Sequence, residues 1–143
     1  MKVKRRRYKA TVICIAIVLF LTVLAGCGQQ VSETGKVLGI CTVTIDAASV
    51  GQGMILDAYE VQYTEGMSVL DQLYTAVQEN GILMETTGFD AVAYVAGINN
   101  IYEFDNGPAS GWVYYVNDVS ATESAGACEL KEGDAVRWVY ITE

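Results

Sequence analysis

The chain has no histidine in its 143 residues. That absence removes the usual general base, the commonest zinc ligand and every catalytic triad built on imidazole. Proline is scarce too, Pro108 alone, while valine, isoleucine and tyrosine are plentiful, which excludes a disordered stalk. Basic residues are few and bunched: Lys2, Lys4, Arg5, Arg6, Arg7 and Lys9 open the chain, and only Lys36, Lys131 and Arg137 follow. Neither later lysine sits in an apolar segment, so a tuned catalytic amine is not expected. No GKS or GKT phosphate loop occurs. Asp105-Asn106-Gly107 lacks the spaced ligands and closing Glu of a calcium loop and reads as a turn before Pro108. Carboxylates abound, but nothing in the sequence pairs two of them across a cleft. The chain is therefore read as a non-enzyme with no resident metal or cofactor.

What is present starts with an export signal. The basic cluster precedes an uncharged run from Ala10 to Gly26, which ends in small residues. Leu24-Ala25-Gly26-Cys27 resembles the lipobox of bacterial lipoproteins. The resemblance implies a signal peptide over 1–26, cleavage before Cys27, lipidation of Cys27, and a protein held at the cell membrane outside the cytoplasm. Two other readings stay open. One is a transmembrane span, for which these 17 residues are short of the roughly 20 required. The other is a plain secretory signal cut at Ala25 or Gly26.

After cleavage 117 residues remain, enough for one modest core. They carry three basic against 17 acidic side chains, a balance of −14. Such a domain repels phosphate backbones, which excludes nucleic acid as a partner. Of four cysteines, Cys14 leaves with the signal and Cys27 takes lipid, so Cys41 and Cys128 are left as an even pair. Joined, they would close a loop of roughly 88 residues, stabilising by up to about 4–5 kcal/mol. The alternative is two buried free thiols.

Residues 27–36 are polar and aperiodic, a tether reaching roughly 15–18 Å, and the domain is placed at 37–143. Cys41–Asp46 alternates as a strand with Val43 and Ile45 inward, and Tyr59–Tyr63 alternates again and should pair with it. Ala47–Asp57 is expected as a loop. Ser68 caps a helix, with Asp71 closing a capping box and Val69, Leu70, Leu73, Ala76 and Val77 on one face; Asn80-Gly81 ends it. Ile82–Glu85, Ala91–Val95, Trp112–Val116 and Ala135–Ile141 are the remaining predicted strands. Strands, one helix, then strands give an α+β domain, with the helix on one face of a mixed sheet.

This layout resembles a β-grasp fold. The series Gly97-Ile98-Asn99-Asn100-Ile101-Tyr102-Glu103-Phe104, Gly107-Pro108-Ala109-Ser110-Gly111-Trp112, Tyr115-Val116-Asn117 and Leu130–Asp134 before Trp138-Val139-Tyr140 is similar to the transcobalamin-like C-terminal domain family. Many bacterial members carry a cysteine where this chain has Asn106, so any second disulfide of that kind is absent. The resemblance implies a soluble-ligand-binding module, with cobalamin or another corrinoid as the candidate ligand. In transcobalamin itself a helical barrel holds the other side of the ligand, and 117 residues leave no room for one.

Aromatics are the remaining functional signal. Trp112 and Tyr114 share one side of their strand; Tyr102 and Phe104 lie just upstream in a segment expected to be irregular. On the open face of the sheet these four would form a platform for a flat ligand. Trp138 and Tyr140 are assigned to the core. Two functions follow: capture of a small ligand by that platform, or a structural or adhesion module that docks another surface protein through the same face or a strand edge.

Overall fold

A computed structural model describes residues 35–143. The signal segment, Cys27 and the tether as far as Thr34 lie outside the described residues.

Alternation in the first segment produces β1 (Val37–Ala47), whose Cys41, Val43, Ile45 and Ala47 are all buried. A tight turn, with Gly51 at φ +75°, returns the chain into β2 (Gly53–Thr64), antiparallel to β1. The expected loop over 47–57 is therefore mostly strand. Ile55 and Leu56 pack against the core, and register shifts absorb the left-handed Ala58 (φ +45°).

Helix α1 (Val69–Glu79) begins and ends where its sequence signals lie. Ser68 Oγ accepts from Asp71 N at 3.1 Å, and Asp71 Oδ2 accepts from Ser68 N at 3.0 Å. At the other end Gly81 takes φ +64°, and Ile82 N donates to Val77 O at 2.9 Å. That pairing satisfies carbonyls the helix leaves free. The buried face holds Val69, Leu70, Leu73, Ala76 and Val77 as expected, and also Gln72, whose Nε2 donates to Thr42 O at 3.0 Å.

The chain continues through β3 (Met84–Thr87), a short 3-10 turn (Asp90–Val92), β4 (Tyr94–Ile98), β5 (Ile101–Tyr102), β6 (Gly111–Val116), β7 (Val119–Ser120) and β8 (Ala135–Ile141). The third and fourth strands start two to three residues later than expected. Ile82 is used in closing the helix, and Asp90–Val92 forms the turn. Asn99-Asn100 and Asn117-Asp118 adopt positive φ at both positions, the conformation of two-residue hairpin turns.

The main sheet has the order β2-β1-β8-β6-β7, with β1 and β8 parallel and the other pairs antiparallel. This is the mixed sheet of an α+β, β-grasp-like domain. A second sheet, β3-β4-β5, was not legible in advance. It joins the main sheet from the side of the buried aromatics: Trp112 Nε1 donates to Ile101 O at 2.9 Å and Tyr140 Oη to Tyr102 O at 2.6 Å. One core runs from α1 across β1 and β8 to β4 and β6.

Candidate ligand-binding cleft

The β6–β8 register sets Trp112 opposite Tyr140 and Tyr114 opposite Trp138. All four rings lie on the face that α1 and the small sheet cover. Trp112 is 3% exposed and Tyr114 8%, which corrects their expected place on an open platform. Tyr102 and Phe104 lie elsewhere. The Tyr102 ring packs over Gly97 and its hydroxyl donates to Glu85 Oε1 at 2.9 Å, while Phe104, 63% exposed, follows β5 at φ +67°. The four residues do not converge. The cause is the second sheet, which lies against Trp112 and Tyr140 and carries Tyr102 on its own edge strand.

Two of the four do border a cavity. A cleft of about 340 Å³ opens between β4, β6 and the segment 121–125, with Tyr94, Trp112, Tyr114 and Trp138 as its aromatic lining. Val92, Val95 and Ala121 add apolar surface, and Glu123 and Ser124 are its polar members. Tyr94, 43% exposed, is a lining ring within reach of solvent, and no pattern in the sequence marked it. A wider groove of about 510 Å³ runs between the start of α1 and the strap Gly88–Ala93. Of its two carboxylates, Asp71 is already committed to the helix cap and Asp90 sits on the strap itself. The aromatic cleft is the better-built site, because ligand pockets are mainly apolar with a few placed polar groups.

The strap divides the two cavities and is fixed from behind. Ser124 Oγ donates to Ala91 O, and Gly126 leaves room for the Asp90 carbonyl against it. Phe89 and Val92 are thereby held 76% and 71% exposed at the top.

Electrostatics in the cleft favour neutral groups. Burial pushes the Tyr114 hydroxyl well above the ordinary tyrosine range, with Cys128 and Glu123 adding to the effect. Its proton is donated to Glu123 O at 2.8 Å. Tyr94 is raised by burial and by the Glu103 carboxylate. Among the described residues no cluster of three or more His, Cys, Asp or Glu side chains is placed to hold a metal.

The expected Cys41–Cys128 disulfide is not formed; both are free thiols. Cys41 Sγ donates to Lys131 O at 3.0 Å within the core, whereas Cys128 lies beside Tyr114. Among the described residues no helix is long and apolar enough to cross a membrane.

Fold and cleft together define an α+β domain of transcobalamin-like fold. Solved structures with this fold include a candidate metal-binding protein from Ruminococcus gnavus, at TM-score 0.54 and 13% identity, covering 73% of this chain and 98% of that one. Haptocorrin in complex with Cbi matches at TM-score 0.50 and 18% identity, over 70% of this chain but only 24% of its own length. At these identities the likeness is one of fold. No curated protein matches the sequence. A family profile covers residues 66–142, more than half of the chain, and the chain belongs to that family, a domain of unknown function (DUF4430).

Proposed function

We propose that this chain is a lipid-anchored binding protein facing outside the cytoplasm, without enzymatic activity, whose domain at 37–143 captures a small ligand. The observation that carries the reading is the cleft itself, with four aromatic rings around a polar fringe of Glu123 and Ser124. The anchor at Cys27 and the tether to residue 36 rest on the sequence.

Cobalamin or a related corrinoid is the leading ligand, supported by the shared fold of haptocorrin in complex with Cbi. At about 340 Å³ the cleft lies near the lower end of the roughly 300–1,000 Å³ usual for ligand pockets. A corrinoid would therefore enter by an edge or a side group, its remaining surface lying over the exposed Val92 and Phe89.

The test is titration of the full chain with cobalamin and cobinamide, followed by the corrinoid visible spectrum and tryptophan fluorescence. Saturable changes in both, weakened by Tyr94→Ala, support the reading. No response at high micromolar concentration removes the corrinoid. The exposed pair Phe89 and Val92 favours a second reading, an adhesion module docking another surface protein. Capture of a defined surface partner that is lost in Phe89→Ser and kept in Tyr94→Ala would support it.

A further inference from the structure

One residue of the cleft wall carries a buried donor with no acceptor. Two tryptophans line the cleft, and Trp112 is satisfied by Ile101 O at 2.9 Å. Trp138 is 2% exposed, and its Nε1 is buried without a hydrogen-bond partner. The ring centroid of Tyr114 lies 5.1 Å away, but that hydroxyl is committed to Glu123 O. An indole N–H only donates. Left unpaired in the interior, such a group carries its full desolvation cost, and folded proteins keep few of them. Gln72 Oε1 is also unpaired, but Gln72 borders neither cavity. Trp138 combines an orphan polar atom with a cavity wall.

Resting on the reading of this cleft as the ligand site, we propose that its ligand presents a neutral carbonyl or carboxamide oxygen to Trp138 Nε1, with a flat apolar body against Trp112, Tyr114 and Tyr94. A neutral acceptor is favoured over a carboxylate by charge. Glu123 stands in the lining, and the mature chain carries 17 acidic against three basic side chains. An anion would lose its hydration and face the Glu123 carboxylate, a cost that one indole N–H does not offset. Because Nε1 is buried, the acceptor reaches it only as the cleft wall yields; the part of that wall at 121–125 is held by two side-chain bonds, from Tyr114 to Glu123 O and from Ser124 to Ala91 O.

Trp112 and Trp138 are the only tryptophans, so the full chain labelled with ¹⁵N at its indoles gives two N–H signals, assigned with Trp112→Phe and Trp138→Phe. Three probes of similar shape are titrated: cyclohexanone, methylenecyclohexane, which lacks the acceptor, and cyclohexanecarboxylate. Cyclohexanone should move the Trp138 N–H downfield and saturably while Trp112 stays. Methylenecyclohexane should shift the methyls of Val92 and Ala121 without moving Trp138, and the carboxylate should bind more weakly than the ketone. If cyclohexanone shifts the cleft methyls but leaves the Trp138 N–H in place, the acceptor proposal fails and the cleft survives as a site. Tighter binding of the carboxylate overturns the preference for a neutral group. If no probe shifts any cleft methyl, the cleft reading itself falls.

Discussion

Tyr114 and Trp138 are cross-strand partners on β6 and β8, their ring centroids 5.1 Å apart with the planes tilted by 35°. One pair further along, Trp112 meets Tyr140 edge to face at 5.3 Å. Such aromatic pairs add about 0.5–1.5 kcal/mol beyond the area they bury. The cleft floor is thus also the end of the hydrophobic core, and substitutions there act on stability and binding together. Peripheral residues such as Tyr94 separate the two effects.

The alkaline limb of stability should report Tyr114. Burial raises its pKa in the fold, with Cys128 and Glu123 reinforcing the shift. Tyr94 is raised by burial and Glu103, and Tyr59 and Tyr102 by hydrogen bonds to Glu79 and Glu85. Each folded pKa lies above the unfolded value of about 10, so the fold holds protons the unfolded chain releases. Their contribution is complete below about pH 10 and declines as pH rises beyond it. Urea midpoints between pH 8 and 11.5 should fall at the alkaline end. Tyr114→Phe should lower stability by about 1 kcal/mol at neutral pH, through loss of the bond to Glu123 O, and should flatten the alkaline decline. An unchanged slope in that variant would assign the decline to other groups.

The two thiols should be slow to react in the folded protein. Burial is the first cause of the raised pKa at both Cys41 and Cys128, and the thiolate is the attacking form. Iodoacetamide near pH 7.5 should label neither quickly, and Cys41, 1% exposed, should be the slower of the two. Both should label fast in strong denaturant. Rapid labelling of Cys128 without denaturant would contradict its packing beside Tyr114.

Gly126 and Gly39 make a controlled comparison. A methyl at Gly126 would run into the backbone carbonyl of Asp90, so the strap Gly88–Ala93 must shift. Gly126→Ala should cost about 1–3 kcal/mol and disturb both cavities. At Gly39 the nearest atoms a methyl would meet all belong to the Glu132 side chain, which can rotate away as a backbone carbonyl cannot, so Gly39→Ala should cost less than Gly126→Ala. Equal thermal shifts for the two variants would contradict this.

Much of the fold was legible in local chemistry. Ser68, Asp71 and Gly81 marked both ends of the helix, and the alternation of β1, β6 and β8 marked the strands that make the main sheet. The small sheet was hidden because its pairing depends on contacts between segments, and because β5 is only two residues long. That omission carried through to the site. Without a second sheet, Trp112 and Tyr114 looked free to face solvent, and Tyr94 had no reason to stand out. The free thiols were legible only as one of two outcomes, since pairing depends on where the side chains point.

Ser68→Ala should cost about 1 kcal/mol, the usual value of a lost N-cap. Ser68 is buried and both halves of its capping box are formed, so water cannot easily replace them. The first helical turn should lose protection in hydrogen exchange before β1 and β8 do. Uniform loss of protection would mean that the helix and the sheet open as one unit.

Attachment at Cys27 separates the three readings of the N-terminus. Two acyl chains bury many methylenes at about 0.8 kcal/mol each, enough for stable anchoring without a spanning helix. If lipid is the anchor, the native chain should fractionate with membranes and partition into detergent, and Cys27→Ser should appear in the soluble extracytoplasmic fraction or remain as unprocessed precursor of higher mass. Processed Cys27→Ser that stays membrane-bound would remove the lipid anchor. A precursor-length native chain without lipid would point to a span made by Ala10–Gly26. A native chain already soluble, and cut at Ala25 or Gly26, would make the signal an ordinary secretory one. Intact-mass measurement of the membrane and soluble fractions distinguishes all three, because lipidation, retention of the signal and simple cleavage leave different masses.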